Sequence, residues 1–201
     1  MSERSISRPG ILKEEIIRKG IHLAAGILMA VLYTLFQRDV LIFVHLFFLI
    51  TIWLLELLRL RGVILVPFLR DREKKKIGAH AFFMLGTFIS IVLFDRQIAI
   101  ASILMLTIGD AASGIAQVVR RGALEGLEGS TGAVKSPDVM VIMLGVCFLV
   151  GYLTVDSPVT AISGAIGAAI ADGVHLRLYG ISIDDNLTIP LYSGFLMSLV
   201  S

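Results

Sequence analysis

Residues 40–58 read VLIFVHLFFLITIWLLELL. Apart from Thr51, only His45 and Glu56 interrupt the apolar run. A helix rises about 1.5 Å per residue and the hydrocarbon core of a bilayer is about 30 Å thick, so roughly 20 such residues are needed to cross it. A block this long and this apolar, closed by Arg59 and Arg61, reads as a membrane span. Lipid is then the solvent against which the other segments must be judged.

Similar blocks recur on either side. Apolar runs lie at about 20–36, 78–94, 98–119, 139–155, 158–172 and 187–201. Of the 201 residues, 56% are hydrophobic and 17% charged, with a mean hydropathy of +0.88. A soluble domain is nearer half apolar and about a quarter charged, so the composition argues against an ordinary soluble globule. The expected fold is all-α: a polytopic membrane helix bundle of about seven transmembrane helices. Residues 1–19 form a cytoplasmic N-terminal segment and 20–201 a single transmembrane domain. The last two runs are short, about 22 Å of helix each, so six spans with one re-entrant segment is the alternative. The first run is long, follows a charged stretch and is succeeded by further spans, unlike a cleavable signal peptide. Cys147 is the single cysteine; alone in an apolar run, it reads as a packing residue.

Charge placement predicts orientation. Arg4, Arg8, Lys13, Arg18 and Lys19 precede the first span. Arg59, Arg61, Arg70, Arg72, Lys74, Lys75 and Lys76 separate the second from the third. Arg120, Arg121 and Lys135 separate the fourth from the fifth, and Arg177 the sixth from the seventh. These alternate segments hold sixteen of the eighteen Lys and Arg, leaving only Arg38 and Arg96 for the opposite side. Basic loops stay cytoplasmic, so the N-terminus is expected inside.

Polar residues within the spans are the functional candidates. An aspartate at a span centre costs about 2.5–3.5 kcal/mol on insertion scales. Such groups usually face the bundle interior or an aqueous cavity. Asp110 sits mid-block, and Thr107, Asp110, Ser113 and Gln117 recur at three- and four-residue steps, one helix face. Gly109, Ala111, Ala112 and Gly114 surround them and permit close approach. Glu15, Arg18, Lys19 and His22 share a face at the first span's start; they suit either an interfacial anchor or a site. Glu56 and Arg59, three apart, suit an ion pair. His45 reads as a helix-contact histidine.

Lys74, Lys75 and Lys76, followed by Gly78 and His80, suit lipid headgroups or a polyphosphate. Asp172, then Asp184, Asp185 and Asn186, with Thr188 and Pro190 just beyond, bring together carboxylates and a carboxamide, the hard oxygens that Mg²⁺ prefers. A helix N-cap accounts for one of the adjacent acids but not for both with Asn186. The small residues from Ala161 through Gly173 suit tight helix packing. In the expected topology these cations and carboxylates gather at the cytoplasmic ends, with Asp110 deeper. Cations hold phosphates and carboxylates hold Mg²⁺. The sequence contains neither a G-x-x-x-x-G-K-[ST] loop nor a protein-kinase signature.

Taken in order, these motifs resemble the family of dolichol kinases, phytol kinases and CTP-dependent diacylglycerol kinases. Arg18-Lys19-x-x-His22 resembles its R-K-x-x-H, and Glu56-x-x-Arg59 its E-x-x-R. Gly78-x-His80 through Leu85-Gly86 resembles G-x-H-x-x-x-x-L-G. Gly109-Asp110-Ala111-Ala112-Ser113 resembles the G-D-A-x-A block, and Asp184-Asp185-Asn186-Leu187-Thr188-Ile189-Pro190 resembles D-D-N-L-T-x-P. The resemblance covers about residues 14–195. Two places depart from it. The family's K-S-x-E-G-S is met by Lys135-Ser136-Pro137-Asp138, while Glu128 in Leu127-Glu128-Gly129-Ser130 is an upstream alternative. Asp172 stands where the family often has Glu.

The resemblance implies a transmembrane catalytic domain that transfers the γ-phosphoryl of CTP to the hydroxyl of a membrane lipid alcohol with Mg²⁺. Asp110, Asp185 and Lys135 would be catalytic, and Asp110, Asp172, Asp184 and Asp185 would hold metal. Arg18, Lys19, His22, Arg59, Lys75, Lys76, His80, Gly109, Ser136 and Asn186 would bind nucleotide and phosphate, supported by Glu56, Asp138, Ser113 and Thr188. The family is also similar to phosphatidate cytidylyltransferases, which form a CDP-lipid and release pyrophosphate. A small ion-coupled transporter using Asp110 is a further alternative. No nucleic-acid partner is expected.

Overall fold

A computed structural model describes residues 8–64, 76–124, 135–174, 177–178 and 181–201, with side chains within 16–64, 76–120, 135–174 and 183–201. The chain is helical nearly throughout these residues. Helix α1 (Arg8–Leu35) turns into α2 (Arg38–Leu60), and α3 (Ala79–Leu93) follows. Next comes one continuous rod: α4 (Arg96–Leu104), a π-helical turn (Met105–Gly109) and α5 (Asp110–Leu124). Helices α6 (Pro137–Thr154), α7 (Pro158–Gly173) and α8 (Asp185–Ser198) complete the bundle. Between α7 and α8, β1 (Arg177–Leu178) pairs antiparallel with β2 (Ile181–Ser182).

The helices fall on the apolar blocks, and their breaks have local causes. Pro137 and Pro158 open α6 and α7 at first-turn positions, where a missing N–H is harmless. Ser157 caps α7 by accepting from the Thr160 N–H. Among the described residues, four helices are long and apolar enough to cross a membrane: Ile16–Leu35, Arg38–Leu60, Arg96–Arg120 and Pro137–Thr154. Helices α3, α7 and α8 have 15, 16 and 14 residues, below the roughly 20 that a perpendicular span requires. Helix α1 runs unbroken through position 19, where the sequence suggests a segment boundary.

The rod Arg96–Arg120 is mostly enclosed, while the other three long helices turn most of their surface outward. Around it the core gathers Tyr33, Ile103, Met105, Leu106, Met143, Ile189 and Met197, all buried. Helix α7 packs between α6 and α8 through Ala161, Gly164, Ala165, Gly167 and Ala168. Small residues suit this position, because association in lipid relies on close packing more than on expelling water. At Gly167 a Cβ would stand 2.6 Å from the Tyr192 carbonyl oxygen.

The two arginines of the sparsely charged side complete helix ends. Arg38 Nε donates to Ile91 O (3.0 Å) and its Nη2 to Val92 O (2.5 Å), at the end of α3. Arg96 Nε donates to Tyr33 O (2.9 Å) and its Nη2 to Phe36 O, at the end of α1. The last carbonyls of a helix lack partners within it, and a cation there also complements the helix dipole.

The α7–α8 contact yields a paired expectation. Gly167→Val should destabilise the bundle by about 1–3 kcal/mol, because the new side chain meets backbone that cannot rotate away. Gly145→Ala, where nothing lies within 4 Å of the added Cβ, should be neutral or gain up to about 1 kcal/mol of helix propensity. Thermal unfolding in detergent measures both.

Candidate functional site

The π turn delivers the chain to Asp110. Such turns rephase a helix and recur at functional sites. Its last residue, Gly109, faces α6, where a Cβ would stand 2.5 Å from Cys147 Sγ and 2.8 Å from Met143 Sδ. Cys147 Sγ also donates to Met105 O at 3.6 Å. Thr107 turns its hydroxyl to Ile103 O at 3.0 Å.

Helix α1 runs antiparallel along this face of the rod. Gly26 meets the Thr107 side chain, and Lys19 lies over Gly114, where a Cβ would stand 2.6 Å from Lys19 Cε. The absence of side chains at 26 and 114 therefore sets the path of α1 and of Lys19. Lys19 Nζ ends 2.5 Å from Asp110 Oδ2, both groups 6% exposed. His22 Nε2 is 3.8 Å from the same oxygen, and its ring rests edge-on against Phe83 of α3 at 4.7 Å.

A second ion pair lies beside the first. Lys135 precedes α6, and its N–H donates to Gly173 O at 2.9 Å, holding it against the end of α7. Its Nζ reaches Asp172 Oδ1 at 2.6 Å and Ser113 Oγ at 3.5 Å. The third carboxylate, Asp185, opens α8. Gly86 lets that first turn sit on α3; a Cβ there would stand 2.5 Å from Asn186 O. One oxygen from each of Asp110, Asp172 and Asp185 lies within 4.8 Å of the others.

Asp184 has a different task. Its Oδ1 accepts from the Asn186 N–H (3.0 Å) and from Asn186 Nδ2 (2.7 Å), capping α8. Burial first, and then the Asp185 charge, push its carboxyl up to about 7. The capping pair and the three-carboxylate centre are thus neighbours with separate roles.

Three buried polar atoms around the centre have no hydrogen-bond partner among the described residues: His22 Nε2, Asp172 Oδ2 and Asn186 Oδ1. Leaving a buried polar group unsatisfied costs about 1–3 kcal/mol, so a ligand supplying a cation and a hydrogen-bond donor would relieve the site. Three carboxylates with two ammonium partners also leave one negative charge uncompensated by these groups. A divalent cation suits such an oxygen-rich set.

The remaining candidates lie apart or serve packing. Glu56 and Arg59 form a buried pair, with Arg59 Nε to Glu56 Oε2 at 2.8 Å. Glu56 Oε1 accepts from the Gly78 N–H (2.5 Å), and Arg59 Nη2 donates to Lys76 O (2.6 Å). His80 Nε2, half exposed, stands 3.6 Å from Glu56. This cluster ties the end of α2 to the start of α3. Asp138 is exposed and pairs with Arg120, while Ser136 occupies the N-cap position of α6. Thr188 is buried in the first turn of α8. Arg18 is half-buried beside Lys19, and the Lys76 residue is exposed. Lys74, Lys75, Glu128 and the Glu15 side chain lie outside the described residues.

The close approach expected at Gly114 is met by Lys19. The contact through Gly26 and the π turn have no such signal in the sequence, and nothing in MLTIG marks a π turn. Comparison with protein-family models, with curated proteins and with solved structures gives no match.

Removing either partner of the inner pair leaves the other charge buried. Lys19→Met and Asp110→Asn should each lower the unfolding midpoint. The double variant should lose less than the sum, with a coupling of about 1–3 kcal/mol in a double-mutant cycle. Additive losses would show that the two groups do not interact.

Proposed function

We propose that the chain is a CTP-dependent lipid kinase, acting on the hydroxyl of a membrane lipid alcohol such as a polyprenol or a diacyl- or dialkylglycerol. The observation that carries the reading is the meeting of Asp110, Asp172 and Asp185 with Lys19 and Lys135 in an apolar helix bundle. The order of the sequence motifs supports CTP and a lipid acceptor. On this reading all seven apolar helices take part in the membrane domain, the shorter ones against the rod, and the site faces the cytoplasm. The placement of the basic residues supports that orientation.

The donor set fits Mg²⁺. Asp110, Asp172 and Asp185 would hold the ion, and Asp172 Oδ2 is a buried acceptor with no donor among the described residues. The chemistry supplied there would be neutralisation of phosphate charge during transfer. Lys19 and Lys135, now balancing carboxylates, stand within reach of the same space and would balance phosphate instead. Asp184 keeps α8 capped, and so keeps Asp185 aimed. Catalysis of this kind is positioning and electrostatic stabilisation.

Incubating the purified chain with γ-labelled CTP, Mg²⁺ and candidate lipid alcohols tests the reading. Label should pass to the lipid and CDP should appear. Asp110→Asn should lower turnover by at least about 10²-fold, and near-normal turnover by that variant would remove Asp110 from the mechanism. Release of pyrophosphate with formation of a CDP-lipid would make the chain a cytidylyltransferase instead.

A further inference from the structure

Resting on the kinase reading, the structure points to a place for the acceptor. We propose that the acceptor's hydroxyl binds to His22 Nε2 beside Asp110, with its apolar chain along α1, and that His22 receives the hydroxyl proton.

The site's own charges narrow the choice of proton acceptor. Asp110 and Asp172 are engaged by lysines, and on the reading above they and Asp185 are given over to the cation. His22 Nε2 is a buried nitrogen with no hydrogen-bond partner among the described residues. At 3.8 Å from Asp110 Oδ2 it is too far for a direct hydrogen bond, and a small polar group lying beside both can satisfy it. Phe83 fixes the ring plane from the α3 side.

The surroundings of His22 suit a lipid. The buried face of α1 runs through Lys19, Gly26, Ala30 and Tyr33, while Ile17, Ile21, Leu28 and Leu35 are exposed. His22 belongs to the strip between them. Ala25, Met29 and Leu32 continue that strip at three- and four-residue steps, each half-buried against the core. Helix α1 packs on α4 and α5 and touches α2 little, so one flank of the strip is open to the apolar surroundings. A chain laid along Ala25, Met29 and Leu32 brings its terminal hydroxyl to His22 at the level of Asp110. A water-soluble alcohol gains nothing from that strip, which selects for an acceptor carrying a long apolar chain.

The step balances simply. The acceptor O–H gives its proton to His22 Nε2. The oxygen forms a bond to the γ-phosphorus, and the bond from that phosphorus to the β-bridging oxygen breaks. CDP leaves, and the proton on His22 returns to solvent.

The test uses the full chain in nanodiscs, with Mg·CTP and an isoprenoid alcohol. His22→Ala and the near-isosteric His22→Gln should bind CTP with affinity within about threefold of the parent, while transfer falls about 10²–10⁴-fold, the range of a lost general base. Added imidazole should restore transfer in His22→Ala by at least about tenfold, which a merely structural histidine would not allow. Transfer within about threefold of the parent, an unrescued His22→Ala, or a fall in CTP affinity that matches the loss would each overturn the assignment. The last outcome would make His22 a nucleotide contact. If the parent chain labels no lipid alcohol, the kinase reading itself fails, independently of His22.

Discussion

The contact between Lys19 and Asp110 is the constraint around which the bundle is arranged. A carboxylate buried in an apolar bundle must have its charge compensated where it lies, because there is little water to do so. The compensation comes from another helix, so α1 has to run close along the rod. That closeness is bought with absent side chains at Gly26 and Gly114. The π turn just before Asp110 sets the direction in which the carboxylate leaves the rod. One ion pair of 2.5 Å therefore connects the course of α1, the small residues facing it and the irregular turn.

The same logic repeats across the site. Three carboxylates within 4.8 Å repel one another, and folding them together requires cations at hand. Lys135 supplies the second, held near Asp172 by a backbone hydrogen bond to Gly173 O. The close packing of α7 against its neighbours, through alanine and glycine, makes this convergence possible. The small residues and the charged residues are thus parts of one arrangement: the first bring the backbones together, and the second become tolerable only once they are together.

Much of this is legible in the sequence because burial of charge in an apolar block is conspicuous. Asp110, Asp172 and Asp185 stand out for that reason, as do Lys19 and Lys135 beside apolar blocks. What sequence cannot separate is Asp184 from Asp185. Adjacent residues at a helix start differ in orientation by the local backbone, and here one caps the helix while the other joins the carboxylates. Arg38 and Arg96 read only as the rare cations of one side; their hydrogen bonds to the ends of α3 and α1 depend on which helices meet there. The apolar blocks locate the helices, yet the lengths of α3, α7 and α8 fall below a full span. Hydropathy reports the company a residue keeps, and a short helix inside a bundle keeps the same company as a long one.

Helix α2 shows how polar contacts substitute for hydrophobic association. Phe43, Phe47, Leu54 and Leu57 are all exposed, and in lipid such surface gives little reason to leave its surroundings for another helix. What holds α2 is a series of polar pins along its length, all to α3 or the residues beside it. Arg38 binds Ile91 O and Val92 O, His45 Nε2 donates to Met84 O at 3.0 Å, and Glu56 with Arg59 binds Gly78 N and Lys76 O. Helix α3 in turn carries the first turn of α8 on Gly86 and the ring of His22 on Phe83. The Glu56–Arg59 pair therefore acts on the carboxylate centre without touching it: it fixes α3, and α3 supports both Asp185 and His22.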